Sequence, residues 1–221
     1  DFYAAPTCTP TRASLISGRY YQRSGLEHPL GNRASRDAER GLPVDGYSLP
    51  RQLKGAGYAT ALFGKWHLGY QPGYSPLAHG FDTFFGFKSG FIDYYQHTDG
   101  NGRPDLFEDD KPVEADGYMT DLITERSVKF VESHTQQPFF MEVAYNAAHW
   151  PFQVPGHPSV APGNGRFVQP HDADTSTRQD YVAVLERADQ GIGQILAALQ
   201  RTGDRKSTRL NSSHTDISRM P

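Results

Sequence analysis

The sequence places its one cysteine in a short segment that also carries hydroxyl and basic side chains. The segment reads CTPTR at residues 8–12 and continues as ASLISGR at residues 13–19. A lone cysteine is most often a small buried residue, in this case just before a short helix. A thiol phosphatase is a second alternative, but its phosphate loop needs an arginine at the position where Ser14 stands. This spacing argues against a thiol phosphatase and leaves the role of Cys8 open.

Polar side chains also follow directly on two predicted strands. Apolar residues dominate 58–63 and 139–145, and runs of this length predict buried strands. The first run leads into Lys65 and His67, which would face the same side of an extended segment, and the second leads into His149. In layered α/β proteins, polar residues just beyond strand ends line the ligand crevice. Taken alone, a lysine is ordinarily solvated, and a histidine ordinarily lies in the core or in a turn. These three residues are therefore candidates only because they follow the predicted strands.

The elements that would position these residues alternate along the chain. Helices are predicted at 48–54 and 120–134, and a third, longer helix is predicted to end at Gly203. Ser176 with Gln179 predicts a capping box at the start of this third helix. Its predicted apolar stripe consists of Tyr181, Leu185, Ala188, Ile192, Ile195, Leu196 and Leu199. Together with the two strands, this order predicts α/β layering.

Composition excludes several classes of protein. The 221 residues are 37% hydrophobic and 12% aromatic, which is enough for a packed core and argues against a wholly disordered chain. The formal net charge of -3 offers no basic excess for nucleic acid, and no apolar run approaches the roughly 20 residues of a membrane span. The single cysteine excludes an internal disulfide framework and a multi-cysteine zinc site. We therefore expect no nucleic-acid partner and no membrane span.

The composition of the chain changes abruptly at Asp204. The last residues read DRKSTRLNSSHTDISRMP, without an aromatic residue or a regular apolar period. We expect residues 204–221 to be a disordered or foreign tail. The sequence begins without an initiating methionine or a signal-like segment. We therefore expect the chain to be a fragment of a longer protein.

Five ordered segments resemble the formylglycine-dependent sulfatases. The first is the Cys8 segment, which matches C-x-P-x-R followed by a short helix and Gly-Arg. The second, GYATALFGKWHLG, contains Gly-Lys-Trp-His. The others are HGFD, FFG and IDYY between residues 79 and 95, GYMTD at 117–121 and NAAHWP at 146–151. The resemblance covers residues 1–203 and implies that they are a partial sulfatase catalytic domain. The implied fold is an α/β, alkaline-phosphatase-like mixed sheet flanked by helices, truncated at both ends in this chain.

The resemblance implies a role for each candidate residue. In the family, the cysteine that corresponds to Cys8 is oxidised to formylglycine, and one hydroxyl of the hydrated aldehyde attacks sulfur and expels the alcohol. The second hydroxyl then loses its proton, and the aldehyde re-forms as inorganic sulfate leaves. Arg12 would hold the hydrated aldehyde, Lys65 would contact sulfate and nucleophile, and His67 would be the base of the second step. His149 would lie against the sulfate and help to protonate the leaving oxygen.

The resemblance also implies cofactors and partners. A formylglycine-generating maturation enzyme would read residues 8–12, in which Thr11 stands where the family commonly has serine. A divalent cation, Ca²⁺ first and Mg²⁺ second, would bind beside position 8, with Cys8 as formylglycine among its ligands. The family's other metal ligands and a second substrate-binding lysine have no counterpart in this sequence, so we expect the chain alone to be inactive. The substrate would be a sulfate ester, with periplasmic or extracellular residence ahead of lysosomal.

Two other functions remain open at the level of sequence. Formylglycine also serves phosphonate and phosphoester hydrolases with similar motifs, and a relative with an unmodified Cys8 could bind sulfated glycans without cleaving them. Asp93 and His97 could line a substrate entrance, but neither is assigned there. The acidic residues of the middle segment have no metal-ligand spacing and are predicted to form a solvated loop. They are Asp105, Glu108, Asp109, Asp110 and Glu114.

Overall fold

A five-stranded mixed sheet lies at the centre of the part of the chain that the structure describes. The structure is a computed structural model and describes residues 4–31, 33, 35–157 and 177–204. The strands are β1 (Ala59–Lys65), β2 (Thr83–Phe87), β3 (Leu106–Glu108), β4 (Lys111–Pro112) and β5 (Phe139–Ala144). The helices are α1 (Cys8–Ser17), α2 (Leu49–Gly55), α3 (Met119–Ser133) and α4 (Arg178–Thr202). Short 3₁₀ turns occupy Tyr21–Ser24, Pro72–Tyr74 and Leu77–His79.

The strand order is β4-β3-β2-β1-β5, with β1 parallel to both of its neighbours and antiparallel pairing from β2 to β4. All seven residues of β1 are buried, as in a central parallel strand that is covered on both faces. Leu62 belongs to the core cluster that contains Ala13 and Ile16 of α1. Phe63 packs on Phe130 of α3, with ring centroids 5.7 Å apart. Packing of α1 and α3 on the two faces of the sheet confirms the predicted α/β class, a mixed sheet flanked by helices.

The predicted helices and strands are present with small shifts at their ends, but the cap of α4 was predicted one residue too early. Thr177 is the N-cap, and its Oγ1 accepts a hydrogen bond from Asp180 N at 3.2 Å. The Asp180 carboxylate accepts one from Thr177 N at 2.6 Å, which completes a capping box. Ser176 lies outside the described residues. The C-terminal stop at Gly203 is confirmed, since Gly203 is left-handed with a φ of 83°.

The apolar stripe of α4 was predicted partly wrong. Leu185 and Ile192 are 40% and 45% exposed, because the helix turns a neighbouring face of smaller residues toward the core. The buried residues are Val184, Ala188, Gly191, Ile195, Ala198 and Leu199. A Cβ on Gly191 would lie 2.4 Å from Thr124 Oγ1 and 2.6 Å from the Tyr145 hydroxyl, so the missing side chain permits the close approach. Neither α4 nor any other helix in the described ranges is long and apolar enough to cross a membrane.

The acidic middle segment is only partly the solvated loop that the sequence predicts, since some of its carboxylates are exposed and others bind the sheet. Asp105 is buried and pairs with Arg33 at 2.7 Å, while its second oxygen accepts from Ser89 N at 2.8 Å. Asp109 accepts from Phe84 N at 2.9 Å. These carboxylates join β3 and the turn after it to β2. The backbone N–H groups that they bind are fixed in place by strand pairing, which a sequence pattern does not reveal. Their role in the structure is to hold the sheet together.

Two glycines in the same helix provide a matched test of how α4 docks. Gly191→Ala is expected to destabilise the protein by about 1–3 kcal/mol, because its methyl group would displace the hydrogen-bonded Thr124 and Tyr145 hydroxyls. Gly193 has no atom within 4 Å of its Cβ position, so Gly193→Ala is expected to stabilise the protein by about 0.5–1 kcal/mol. Chemical denaturation of both variants measures the difference. Equal effects would contradict the described packing of α4.

Candidate active site

Cys8 is the first residue of α1. Thr7 before it is extended, with φ −139° and ψ 160°, and Thr11 N donates to Thr7 O at 3.3 Å, so the helix begins at position 8. Pro10 lies in the first turn, where the backbone N–H that it lacks would have no helical partner. The N-terminus of a helix carries a partial positive charge that favours anions. The Cys8 side chain is partly exposed, so position 8 can be reached by a ligand.

The side chain of His67 contacts the sulfur of Cys8. The distance from Cys8 Sγ to His67 Nδ1 is 3.1 Å, and His67 Nε2 lies 2.9 Å from Leu30 O. A carbonyl oxygen only accepts, so Nε2 must carry a proton to bond to it. In neutral His67, Nδ1 therefore has the free lone pair, and this lone pair is the one at Cys8. The imidazole is thus fixed in the tautomer that can accept a proton from position 8.

The backbone around His67 is locked to α1. Thr9 Oγ1 donates to His67 O at 3.1 Å and accepts from Leu30 N at 3.1 Å. The segment is not extended as the sequence predicts, because His67 has a φ of 57°. Gly90 packs against the imidazole, since a Cβ there would lie 2.7 Å from its Cε1 atom. Position 67 therefore reaches Cys8 through a strained turn held by hydrogen bonds and close packing.

Lys65, the last residue of β1, lies beside the same sulfur. Burial lowers the pKa of Lys65 to about 8, while interaction and a hydrogen bond with Cys8 act in the opposite direction. Burial and then the Lys65 charge lower the pKa of His67 well below its usual value. The same two causes lower the pKa of His149. One buried ammonium group therefore acts on the cysteine and on both histidines.

Arg12 lies one helical turn after Cys8 and points to the ends of two strands. Its Nε donates to Trp66 O at 2.6 Å, and its Nη2 donates to Lys65 O. Nη2 also pairs with Glu142 Oε1 of β5 at 3.0 Å. Both side chains of this pair are nearly buried, and burial raises the pKa of Glu142 while Arg12 lowers it. Arg12 thus supports the backbone of the segment that carries Lys65 and His67.

His149 lies in the turn after β5. His149 N donates to Asn146 O at 2.7 Å, and the side chain Nδ1 lies 2.8 Å from Trp150 O. The ring stacks on Phe91, with centroids 5.8 Å apart. The imidazole remains accessible to solvent although it feels the Lys65 charge. With Nδ1 donating to the carbonyl, Nε2 is available to a ligand.

The structure brings together the predicted Cys8, Lys65 and His67, and places Arg12 and His149 next to them. Sequence reasoning missed Glu142, Leu30 and Gly90. An acidic residue inside the apolar run of β5 was a signal for Glu142, since a charge in such a strand needs a partner. Leu30 acts through its backbone and Gly90 through an absent side chain, so no pattern of residue types could have indicated either.

Asp93 and His97 are both buried and serve the local structure. Asp93 Oδ2 accepts from Gln153 Nε2 at 2.6 Å, and Oδ1 accepts from the backbone N–H groups of Tyr95 and Gln96. His97 is 4% exposed and has a φ of 53°. These contacts agree with leaving both residues unassigned as entrance residues.

The described residues do not by themselves fit the divalent cation that the resemblance implies. Across the described ranges, no three histidine, cysteine, aspartate or glutamate side chains lie close enough to hold a metal ion. The neighbours of Cys8 are an imidazole and the ammonium of Lys65, and an ammonium repels a cation. Ca²⁺ takes about six to eight oxygen ligands. Cys8 therefore stays a predicted ligand.

Comparisons with known proteins point to one family. A family model described as Sulfatase matches residues 1–210. Arylsulfatase J of Mus musculus is 35% identical over 212 residues, which are 92% of this chain and 34% of that protein. N-acetylgalactosamine-6-sulfatase of Mus musculus is 30% identical over 229 residues, with 94% of this chain and 41% of that protein covered. Among solved structures, the chain is similar to the crystal structure of Ps i-CgsB in complex with k-i-k-neocarrahexaose, with 26% sequence identity and a TM-score of 0.71. The match covers 90% of this chain and 46% of that one.

The mixed sheet and its flanking helices define the fold as alkaline-phosphatase-like, and the chain shares this fold with the solved structure of Ps i-CgsB. The chain belongs to the sulfatase family. It spans less than half the length of each of the three proteins it was compared with.

The electrostatic link between Lys65 and His149 can be measured directly. Lys65→Met is expected to raise the pKa of His149, because the positive charge that disfavours the imidazolium is removed. Burial, the larger cause, should still hold this pKa below its usual value of 6.5. Titration of the His149 ring by NMR measures the change. Lys88→Met is the control, because Lys88 is also buried but pairs with Asp110 and should leave His149 unchanged.

Proposed function

We propose that the protein containing this chain hydrolyses a sulfate monoester, with formylglycine formed from Cys8 as the nucleophile. The observation that carries the proposal is the contact of 3.1 Å between Cys8 Sγ and His67 Nδ1, with Lys65 beside the same sulfur. Membership of the sulfatase family supports it independently. Sheet, helix and nucleophile meet at the carboxyl end of β1, where α/β proteins bind their ligands.

The charges around position 8 suit a sulfate ester. A sulfate monoester spreads one negative charge over three terminal oxygens, so its site needs cationic donors. Lys65 supplies a buried ammonium, and the N-terminus of α1 adds a partial positive charge. With a pKa of about 8, Lys65 is mostly protonated at neutral pH. In this proposal Lys65 binds the sulfate, and His149 at the open side of the site, in its doubly protonated form, donates the proton of Nε2 to the leaving oxygen.

His67 is suited to accept a proton at position 8. Its Nδ1 lone pair is at Cys8, and its lowered pKa keeps the ring neutral, and therefore free to accept a proton, at neutral pH. Formylglycine, once formed, would supply hydrated-aldehyde hydroxyls at this position. His67 then takes the proton from a hydroxyl at position 8, while Leu30 O stabilises the resulting imidazolium. That Arg12 itself binds the hydrated aldehyde stays a prediction.

The first test is the chemical state of position 8. When the chain is made together with a formylglycine-generating enzyme, the tryptic peptide 1–12 is expected to carry an aldehyde, which is lighter than the thiol. Mass spectrometry of this peptide distinguishes the two. Cys8→Ser is the control, because a serine offers the maturation enzyme no thiol. A thiol that persists would indicate that Thr11 prevents recognition or that the protein binds sulfated ligands without cleaving them.

The relatives suggest where to look for substrates. One is named an arylsulfatase, one an N-acetylgalactosamine-6-sulfatase, and one was crystallised with a neocarrahexaose. Sulfated carbohydrates are therefore the first natural substrates to try, and aryl sulfates the most convenient reporters. The proposed residence is periplasmic or extracellular, with the lysosome second.

Rates on matched esters separate sulfate hydrolysis from the phosphonate and phosphoester alternative. The complete gene product is expected to hydrolyse an aryl sulfate faster than the corresponding phosphate, because one ammonium leaves the second charge of a phosphate dianion unpaired in a buried site. A phosphonate monoester is a monoanion like the sulfate, so for this ester the expected preference rests on membership of the sulfatase family. The ratio of kcat/KM for the three esters is the measurement. A ratio in favour of phosphate or phosphonate would replace the proposed activity.

The 221-residue chain by itself is expected to show no turnover of an aryl sulfate, even with formylglycine at position 8 and with added Ca²⁺ or Mg²⁺. The reason is that, under the resemblance, only position 8 of this sequence corresponds to a metal ligand. Initial rates with and without each cation are the measurement, and the complete gene product is the control. Metal-dependent turnover by the chain alone would contradict the prediction.

A further inference from the structure

The loop that follows β2 contacts both histidines of the site through two consecutive residues. Gly90 lies against the imidazole of His67. Phe91 stacks on the imidazole of His149, with an angle of 11° between the two ring planes. The backbone of the loop is held by Ser89, whose Oγ donates to Phe91 O at 2.6 Å. The same short segment therefore packs on the proposed base and on the proposed acid.

The ring of Phe91 packs against three neighbours. The His149 ring lies parallel to it, with centroids 5.8 Å apart, and Trp150 meets it at an angle of 68° with centroids 5.2 Å apart. The third neighbour is Gly100, because a Cβ there would lie 2.7 Å from Phe91 Cζ. The absent side chain at Gly100 therefore leaves room for the ring to reach His149.

The imidazole of His149 needs such a neighbour to have a defined orientation. Nδ1 lies 2.8 Å from Trp150 O, but this hydrogen bond holds only one atom of an exposed ring. Rotation of a histidine ring about its second side-chain torsion meets only broad minima, so the hydrogen bond alone does not fix the ring plane. The aromatic face of Phe91 lies parallel to that plane and can fix it.

We propose that Phe91 is a positioning residue: its ring holds the His149 imidazole in the orientation in which Nδ1 bonds to Trp150 O and Nε2 is free for a ligand. The use of Nε2 as the proton donor to the leaving oxygen rests on the proposed function. The orientation of the ring does not, because it follows from contacts within the chain. The two can therefore be tested separately.

The tautomer of His149 reports the orientation without any turnover. A carbonyl oxygen only accepts, so the neutral ring that bonds to Trp150 O carries its proton on Nδ1. An imidazole that is free in water carries the proton mostly on Nε2, so a released ring shifts toward that tautomer. The ¹⁵N chemical shifts of the 221-residue chain, labelled at histidine and held at about pH 8, measure the two populations. The spectrum of His149→Gln assigns the resonances.

Phe91→Leu is expected to turn the Nε2 tautomer of this histidine from the minor into the major population, because the stacked ring is lost. Gly100→Ala keeps Phe91, but its methyl group pushes the end of the ring aside, so a shift in the same direction is expected. Two controls make the same changes elsewhere and should keep the Nδ1 tautomer. Phe152→Leu lies close by in the chain, but its ring packs on Tyr181, and Gly73→Ala has no atom within 4 Å of its Cβ position.

A double-substitution cycle tests whether Gly100 acts through Phe91. In a Phe91→Leu background, Gly100→Ala is expected to shift the tautomer less than it does alone, because the ring that it displaces is gone. Circular dichroism verifies that each variant is folded, and Gly100→Ala carries the test if the leucine variant is not. An Nδ1 tautomer that persists in both single variants would overturn the proposal, and so would an Nε2 tautomer in the unsubstituted chain.

Turnover by the complete gene product then connects the orientation to the proposed function. Phe91→Leu is expected to lower kcat about tenfold for a sugar sulfate, whose leaving oxygen needs a proton, and much less for a nitrophenyl sulfate, whose leaving group departs as an anion. A general structural defect would lower both rates equally. Equal losses with the tautomers changed as expected would contradict the proposed role of His149 as proton donor, and its positioning by Phe91 would stand.

Discussion

The hydrogen bonds of Arg12 are the interaction on which the rest of the site depends. They join α1, which carries Cys8, to the end of β1, which carries Lys65, and to Glu142 of β5. A guanidinium can do this because it has several donors in one rigid plane. Without such a link, the helix that presents the nucleophile would keep its bonds to His67, but its hydrogen bonds to Lys65 O, Trp66 O and the Glu142 carboxylate would be lost. The position of Cys8 relative to the ends of β1 and β5 would then be less well defined.

Burial gives these charges their chemical character. Lys65 and His67 are both enclosed, and burial is the largest cause of the lowered pKa of each. A neutral imidazole therefore lies beside an ammonium, because two adjacent buried cations would repel each other. This pairing suits a site that must both accept a proton and attract an anion. It also couples the histidines to each other, since each responds to the same lysine.

The sheet brings together residues that are far apart in the sequence. β1 is parallel to both β2 and β5, so the segments after β1 and β5 leave the sheet at the same edge. The first contains His67, and the second contains His149. The antiparallel strands β3 and β4 extend the sheet on the other side, held by Asp105 and Asp109. The fold thus separates the part that positions chemistry from the part that completes the sheet.

Residue types and local periods were sufficient to predict β1, β5, the helices, and the candidates Cys8, Lys65, His67 and His149, because these depend on short-range pattern and on a motif. The strands β2, β3 and β4 were not predicted. The tautomer of His67, its left-handed backbone and the pairing of Glu142 with Arg12 depend on contacts between distant segments, so only the tertiary structure decided them. The same reason explains the exposed Leu185 and Ile192, since packing against Thr124 and Tyr145 selected a face of smaller residues. Local sequence specifies which groups are available, and long-range packing specifies which of them meet.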